Sequence, residues 1–135
     1  MTDLKLLIGT DLEIIINFIT EITELDEIGD GELKVFHAWH DYEIVETADN
    51  NDIDIFILQL NNILYHGDYT STGDFRTQAL EFIAYIKKKY NKPIIAFTVF
   101  DELAEKSIKA GATAFLKMPF TIKEYQSAME KCLNR

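Results

Sequence analysis

The sequence IDIFIL, at residues 53–58, is the strongest strand signal in the chain, and it decides the fold. Its last four residues are apolar without alternation, which is typical of a central strand buried on both faces of a parallel sheet. Apolar runs at residues 4–8 and 94–98 predict two further strands of this kind. Shorter runs at residues 35–36 and 114–116 predict two more, so we expect five strands.

Helix signals separate these strands. Residues 10–13 and 121–124 both follow the pattern Thr-x-x-Glu, a capping box that predicts the start of a first and a last helix. Other amphipathic segments predict helices over residues 41–48, from Asp74 onward, and over residues 101–110.

Strands that alternate with helices imply a parallel sheet with helices on both faces. We therefore predict an α/β fold, a doubly wound five-stranded parallel sheet that forms a single domain over residues 1–135. In such sheets the functional crevice lies at the carboxyl ends of the strands. Here those ends are at residues 9–11, 59–62, 98–100 and 117–119.

Composition excludes several classes of protein. The net charge of −10 argues against nucleic acid as a direct partner. The amino terminus lacks the pattern of a signal peptide, and no stretch of 18 apolar residues predicts a membrane span, so we expect a cytoplasmic protein. Cys132 is the only cysteine, which excludes an intrachain disulfide.

Charge is unevenly distributed along the chain. The first 60 residues contain 15 acids and 2 bases, whereas residues 61–135 contain 8 acids and 11 bases. An acidic surface commonly serves solubility. The second interpretation is that the carboxyl-terminal half presents a mildly basic face to an acidic protein.

Two segments resemble the response-regulator receiver family, the CheY-like domains with a flavodoxin-like fold. The run AGATAFLKMPF, at residues 110–120, is similar to the family pattern AGAxxFLxKPF. The segment KPIIAFT, at residues 92–98, resembles the fourth strand of the family and its terminal Thr or Ser. The resemblance covers essentially the whole chain, although the loop at residues 61–73 is longer than the family pattern implies.

The resemblance implies a phosphorylation site that is altered in this chain. An active receiver uses two acids, an acceptor Asp, a Thr or Ser, and a Lys, and these positions align with Thr10 and Asp11, Gln59, Thr98 and Met118. Lys117 is one residue early, so its side chain is expected to face away from the crevice. Because an aspartyl phosphate requires a carboxylate, we predict no phosphoryl chemistry, no catalytic residues, no metal and no cofactor.

Several single residues have alternative interpretations. Asp11 is either a former metal ligand or an acid that complements the dipole of the first helix. Gln59 either hydrogen-bonds Thr98 across the crevice or is an idle surface amide. Thr98 and Phe115 resemble the switch pair of the family, although Phe115 is more simply a core residue.

Two short segments carry further candidate features. The bond between Met118 and Pro119 is cis if the resemblance holds. The spacing of His37, His40 and Asp41 matches no strong zinc pattern, so we expect no metal there. Trp39 and Tyr42 flank these residues and form a candidate contact patch.

Three functions remain open at this point. The first is a pseudo-receiver that signals through protein–protein interaction without phosphorylation, through a candidate surface formed by Lys106, Lys109, Lys117, Lys123 and Tyr125. Its partner would be an acidic protein or a second copy of the chain, and we expect it to act through a separate protein rather than through an attached output domain. The second is a small-molecule sensor that uses the altered crevice and the loop at residues 61–73. The third is an active receiver, if the alignment of the acceptor is wrong.

An enzyme of another class ranks last. The three histidines and Cys132 lie away from the predicted crevice, so the sequence offers no pair of nucleophile and base.

Overall fold

The computed structural model describes residues 3–25, 32–61, 63 and 74–133. Within these residues, five parallel strands form one sheet in the order β2-β1-β3-β4-β5. The strands are β1 Leu4–Gly9, β2 Leu33–Ala38, β3 Ile55–Gln59, β4 Ile94–Thr98 and β5 Ala114–Lys117. The predicted α/β fold is confirmed.

Helices connect the strands. They are α1 Glu13–Leu25, α2 Asp41–Asn50, α3 Phe75–Tyr90, α4 Ala104–Ala110 and α5 Ile122–Leu133, and a 3₁₀ turn at Asp101–Leu103 precedes α4. In the described part of the chain, none of these helices has the length and apolar content needed to cross a membrane.

The core has two layers, one on each face of the sheet. Alternate residues of β3 divide between the layers: Phe56 and Leu58 pack with residues of α2 and α3, whereas Ile55 and Ile57 pack with residues of α1 and α5. Every residue of β3 and of β4 is buried, as the apolar run at residues 53–58 predicts for a central strand.

The ends of several elements differ from the sequence predictions. β3 begins at Ile55 rather than at residue 53, because the backbone at Ile53 forms a turn with Asn51. At α1 the predicted capping box does not form, because the backbone N–H of Thr10 donates to Ala38. The box at Thr121 and Glu124 is present, with reciprocal hydrogen bonds of 2.8 and 3.1 Å.

Other predicted ends are confirmed. Asp74 caps α3 through its Oδ1, which accepts from the backbone N–H of Thr77 at 3.1 Å. Gly111 ends α4 with a φ of 129°, a conformation that side chains disfavour. The Met118–Pro119 bond is cis.

One buried hydrogen bond joins the two helices that cover the same face of the sheet. The hydroxyls of Thr23 on α1 and Tyr125 on α5 are 2.7 Å apart, and Tyr125 has no exposed surface. The single hydroxyl hydrogen of Thr23 is directed to the carbonyl of Ile19, 2.6 Å away. Tyr125 is therefore the donor to Thr23, because each hydroxyl has one hydrogen to give.

We predict that Tyr125→Phe lowers the free energy of unfolding by about 1–2 kcal/mol, because Thr23 loses a buried donor. Chemical denaturation would measure the change. In a double-mutant cycle with Thr23→Val, the two substitutions should be coupled. Thr20→Val is the matched control, because Thr20 makes the same bond to a helix carbonyl without reaching α5. Equal coupling energies for Thr20 and Thr23 would contradict the assignment.

Candidate functional site

The carboxyl ends of β1, β3 and β4 bring together the residues aligned with the phosphorylation site. Thr10 follows β1 directly, while Gln59 and Thr98 are the last residues of β3 and β4. The pairing of Gln59 with Phe97, one residue before Thr98, makes the two strand ends neighbours. All three polar side chains are almost completely buried.

These side chains form one continuous hydrogen-bonded network with Asn61. The hydroxyl of Thr10 donates to Oε1 of Gln59 at 2.5 Å, and Nε2 of Gln59 donates to Oδ1 of Asn61 at 3.2 Å. The hydroxyl of Thr98 donates to the same Asn61 oxygen at 3.1 Å. Both polar atoms of the Gln59 carboxamide are thus satisfied, which is what burial of an amide requires.

The two interpretations of Gln59 must therefore be corrected. Gln59 is 1% exposed, so it is not an idle surface amide. Its link to Thr98 runs through Asn61 rather than through a direct bond. Nothing in the sequence pattern singled out Asn61, because a polar residue after a strand is common and only the fold places it between the two strand ends.

The nearest acids upstream lie at the opposite edge of the sheet. Asp54 precedes β3, and its Oδ2 accepts from the backbone N–H of Lys5 near the start of β1, at 2.8 Å. Five residues of extended chain separate Asp54 from Gln59, about 16 Å at the usual rise of a strand. Asp54 therefore cannot substitute for a carboxylate at the position of Gln59.

Asp11 is the one carboxylate among the aligned positions. It is exposed and lies between Thr10 and the first turn of α1. Across the part of the chain that the structure describes, no group of three His, Cys, Asp or Glu side chains is arranged to hold a metal ion.

The basic position of the site is occupied by a thioether. Met118 is half-buried and packs against the core layer that includes residues of α1 and α5. The Lys117 ammonium forms an ion pair with Asp101 at 3.0 Å, on the loop that follows β4. Lys117 thus extends toward the start of α4, and Phe115 on the same side of β5 packs against the other core layer.

Cys132, the only cysteine, is not part of the network formed by Thr10, Gln59, Asn61 and Thr98, and it is not a candidate nucleophile. Cys132 is buried on α5 in the core. Burial raises the pKa of its thiol to about 11, so the reactive thiolate is scarce at neutral pH.

No protein-family model matches this sequence, and a comparison with curated proteins found no match. Solved structures match it closely in shape. The chemotaxis response regulator CheY4 of Vibrio cholerae has a TM-score of 0.71 and 19% identity, with 97% of this chain and 99% of that chain covered. A response regulator from Thermotoga maritima has a TM-score of 0.76 and 15% identity, with 99% and 100% covered.

This chain has the fold of a receiver domain. The response regulatory domain of mrkE from Klebsiella pneumoniae is a further match, with a TM-score of 0.74, 12% identity, and 97% and 96% of the two chains covered. At these low identities the likeness establishes the receiver fold, and the chemistry of the site depends on the residues present in this chain.

The other candidate residues divide between surface and core. Lys106, Lys109, Lys117 and Lys123 are exposed. Tyr125 is buried, so its inclusion in the predicted interaction surface was wrong: its ring belongs to the inward face of α5. The loop at residues 61–73 lies outside the described residues except at Asn61 and Ile63.

We predict that Gln59→Glu lowers the free energy of unfolding by about 1–3 kcal/mol at pH 8, because it buries a charge and removes the donor to Asn61. Burial raises the pKa of the introduced carboxyl above its ordinary value of about 4.3. The loss relative to the parent chain should therefore grow as pH rises from about 4.3 to the raised pKa, level off above it, and shrink again as pH falls from the raised pKa back toward about 4.3.

Gln78→Glu is the matched control, because Gln78 is half-exposed on α3 and undergoes the same chemical change. Its free energy of unfolding should stay within about 0.5 kcal/mol of the parent value. Denaturant titrations at several pH values would measure both variants. Equal effects of the two substitutions would contradict the buried network.

Proposed function

We propose that this chain is a pseudo-receiver, a signalling domain that acts through protein–protein interaction without being phosphorylated. One observation carries the proposal: Gln59 occupies the acceptor position, is almost completely buried, and has both carboxamide atoms hydrogen-bonded. A side chain held in this way is neither a nucleophile nor a free metal ligand.

The chemistry of the surrounding positions supports the same conclusion. Formation of an aspartyl phosphate needs a carboxylate that attacks phosphorus, and a neutral carboxamide is a poor nucleophile. Mg²⁺ prefers carboxylates, water and phosphate oxygens. Thr10 and Gln59 offer only neutral oxygens, and these are already joined to each other by a hydrogen bond. Met118 provides no positive charge for the phosphoryl oxygens.

The network also bears on switching. Thr98, half of the switch pair that the resemblance implies, donates its hydroxyl hydrogen to Asn61. A two-state switch needs an input that favours one state, and phosphorylation is the input that this site lacks. We therefore propose that the receiver fold presents its binding surface constitutively.

The proposed binding surface lies on α4, β5 and α5. It includes the exposed residues Lys106, Lys109 and Lys123, and Ile108, also on α4, is 46% exposed. Exposed lysines favour a partner of opposite charge, and an exposed apolar side chain adds contact area. The partner is an acidic protein or a second copy of this chain.

A small-molecule sensor is a second candidate, favoured by a cavity rather than by the crevice. In the crevice, the side chains of Gln59 and Thr98 are engaged in the hydrogen-bonded network through Asn61. An apolar cavity of about 360 Å³ lies beside it, and its lining includes Ile14, Phe18, Val99 and Met118. Its size and apolar walls suit a small ligand.

We predict that acetyl phosphate or beryllofluoride with Mg²⁺ leaves the amide NMR shifts of Gln59, Thr98 and Phe115 unchanged, because the acceptor carboxylate is missing. The triple variant Thr10→Asp, Gln59→Asp and Met118→Lys is the comparison. It restores two carboxylates beside Asp11 and should gain measurable Mg²⁺ binding.

The response of the parent chain to the phosphodonor decides whether the proposed function stands. A saturable, Mg²⁺-dependent shift of the parent resonances would show that phosphoryl chemistry survives, and the chain would then be an active receiver. A change without Mg²⁺ dependence would reflect nonspecific binding of the donor, and it would leave the assignment of Gln59 intact.

We predict that reversing the charge of Lys106 and Lys109 to Glu abolishes retention of the partner in affinity capture from cell extract, because like charges would then oppose an acidic partner. Lys88→Glu with Lys131→Glu changes the net charge equally at exposed positions on α3 and α5. Proteins retained by the parent and by this control, and lost from the first variant, support the surface on α4. Equal retention by all three forms would contradict it.

A further inference from the structure

Three aromatic rings lie in a row on the surface where β2 ends and α2 begins. Trp39 is 41% exposed and Tyr42 is 48% exposed. The ring of His40 lies between them, with centroid separations of 5.0 Å to Trp39 and 5.1 Å to Tyr42. We call these three residues the aromatic ledge. Tryptophan and tyrosine are enriched where proteins bind partners, and here both are open to solvent.

A cavity of about 600 Å³ opens beside the aromatic ledge, and Trp39 forms part of its wall. Thr10 and Asp11, two of the positions aligned with the phosphorylation site, line it together with Glu13, Ile16 and Asn17 of α1 and His37 of β2. The volume lies in the range of pockets that hold a ligand or an inserted side chain. The surface is thus concave, polar in part, and bordered by an exposed indole.

The charged groups around this cavity are almost all of one sign. Asp11, Glu13 and Glu43 line it, and among the described lining residues there is no Lys or Arg. The two bases of the first 60 residues, Lys5 and Lys34, are the second residues of β1 and β2. They lie at the amino ends of those strands, at the opposite edge of the sheet, and the field at the cavity is therefore negative.

We propose that the cavity and the aromatic ledge are a docking site for a cationic segment of a partner protein, with a Lys or Arg side chain inserted against Trp39. A cation over an indole face is attracted by the ring, and carboxylates beside it add charge-assisted hydrogen bonds. Neither an acidic segment nor a purely apolar one would match both the ring and the carboxylates.

The cavity has Thr10 and Asp11 in common with the positions aligned with the phosphorylation site, but it shares no residue with the basic surface on α4, β5 and α5. The proposed contact of a cation with Trp39, Glu13 and Glu43 requires no phosphorylation. The two surfaces would bind partners of opposite charge, as the uneven charge of the two halves of the chain suggests.

Fluorescence of Trp39 tests the proposal, because Trp39 is the only tryptophan in the chain. The full chain would be titrated with a capped hexa-arginine peptide and, separately, with a capped hexa-glutamate peptide. We expect a saturable change in emission with hexa-arginine and none with hexa-glutamate. No saturable change with hexa-arginine would overturn the proposal.

The variant Glu13→Gln with Glu43→Gln removes two charges from the cavity wall. Gln is accepted at the third position of a capping box, so the cap between His40 and residue 43 should persist. We expect the affinity for hexa-arginine to fall about tenfold, as the loss of two exposed ion pairs implies. Glu105→Gln with Glu130→Gln is the control, because it makes the same change of net charge on α4 and α5.

The control should change the affinity less than about twofold. Equal weakening in both double variants would mean that the peptide responds to net charge alone, and it would overturn the proposal. Tyr42→Ala should also weaken binding, with circular dichroism showing that each variant is folded. If tetramethylammonium bound as tightly as hexa-arginine, the occupant of the site would be a small organic cation rather than a peptide segment. That result would overturn the proposal.

Discussion

Burial of β3 and β4 on both faces is the constraint on which the rest of the structure depends. Each residue of these strands is enclosed by helices, so their backbone polar groups are satisfied within the sheet and their side chains form both core layers. The parallel arrangement then brings Gln59 and Thr98 to one edge, beside the end of β1. Polar side chains at this buried edge must find partners, and the network through Asn61 provides them.

The network explains why an altered site is still an ordered site. In a receiver with a full set of acids, charge at this edge would need a cation to offset mutual repulsion. In this chain the side chains of Thr10 and Gln59 are neutral and hydrogen-bond to each other. The carboxyl ends of the strands can therefore be stable without a bound ion. The proposed loss of phosphoryl chemistry is compatible with retention of the fold, because the interactions that hold the strands together do not require a phosphoryl group.

Charge divides the surface of the molecule into two regions. Acids dominate the elements formed by the first 60 residues, and exposed lysines occur on α3, α4 and α5. Under the proposed function without phosphorylation, specificity for partners would come from fixed features: exposed apolar side chains, their shapes, and the sign of the charge around them. Among the described residues, the aromatic ledge and the segment of α4 that carries Lys106, Ile108 and Lys109 are two regions that combine exposed apolar side chains with charge of one sign.

The sequence by itself determined the order of strands and helices, the parallel sheet and the presence of Gln59 at the end of the central strand. Apolar runs, caps and a residue type at a strand end are local properties, so they can be deduced without knowing which segments meet. Only the tertiary structure decided that Asn61 links Gln59 to Thr98, that Tyr125 is buried against Thr23, and that Trp39 borders an acidic cavity. The hydrogen bonds from Thr98 to Asn61 and from Tyr125 to Thr23 join residues 37 and 102 positions apart, and all three facts depend on how the elements of the fold pack together. A hydrogen bond or a cavity wall exists only once the chain has folded, whereas a hydrophobic pattern exists in the chain beforehand.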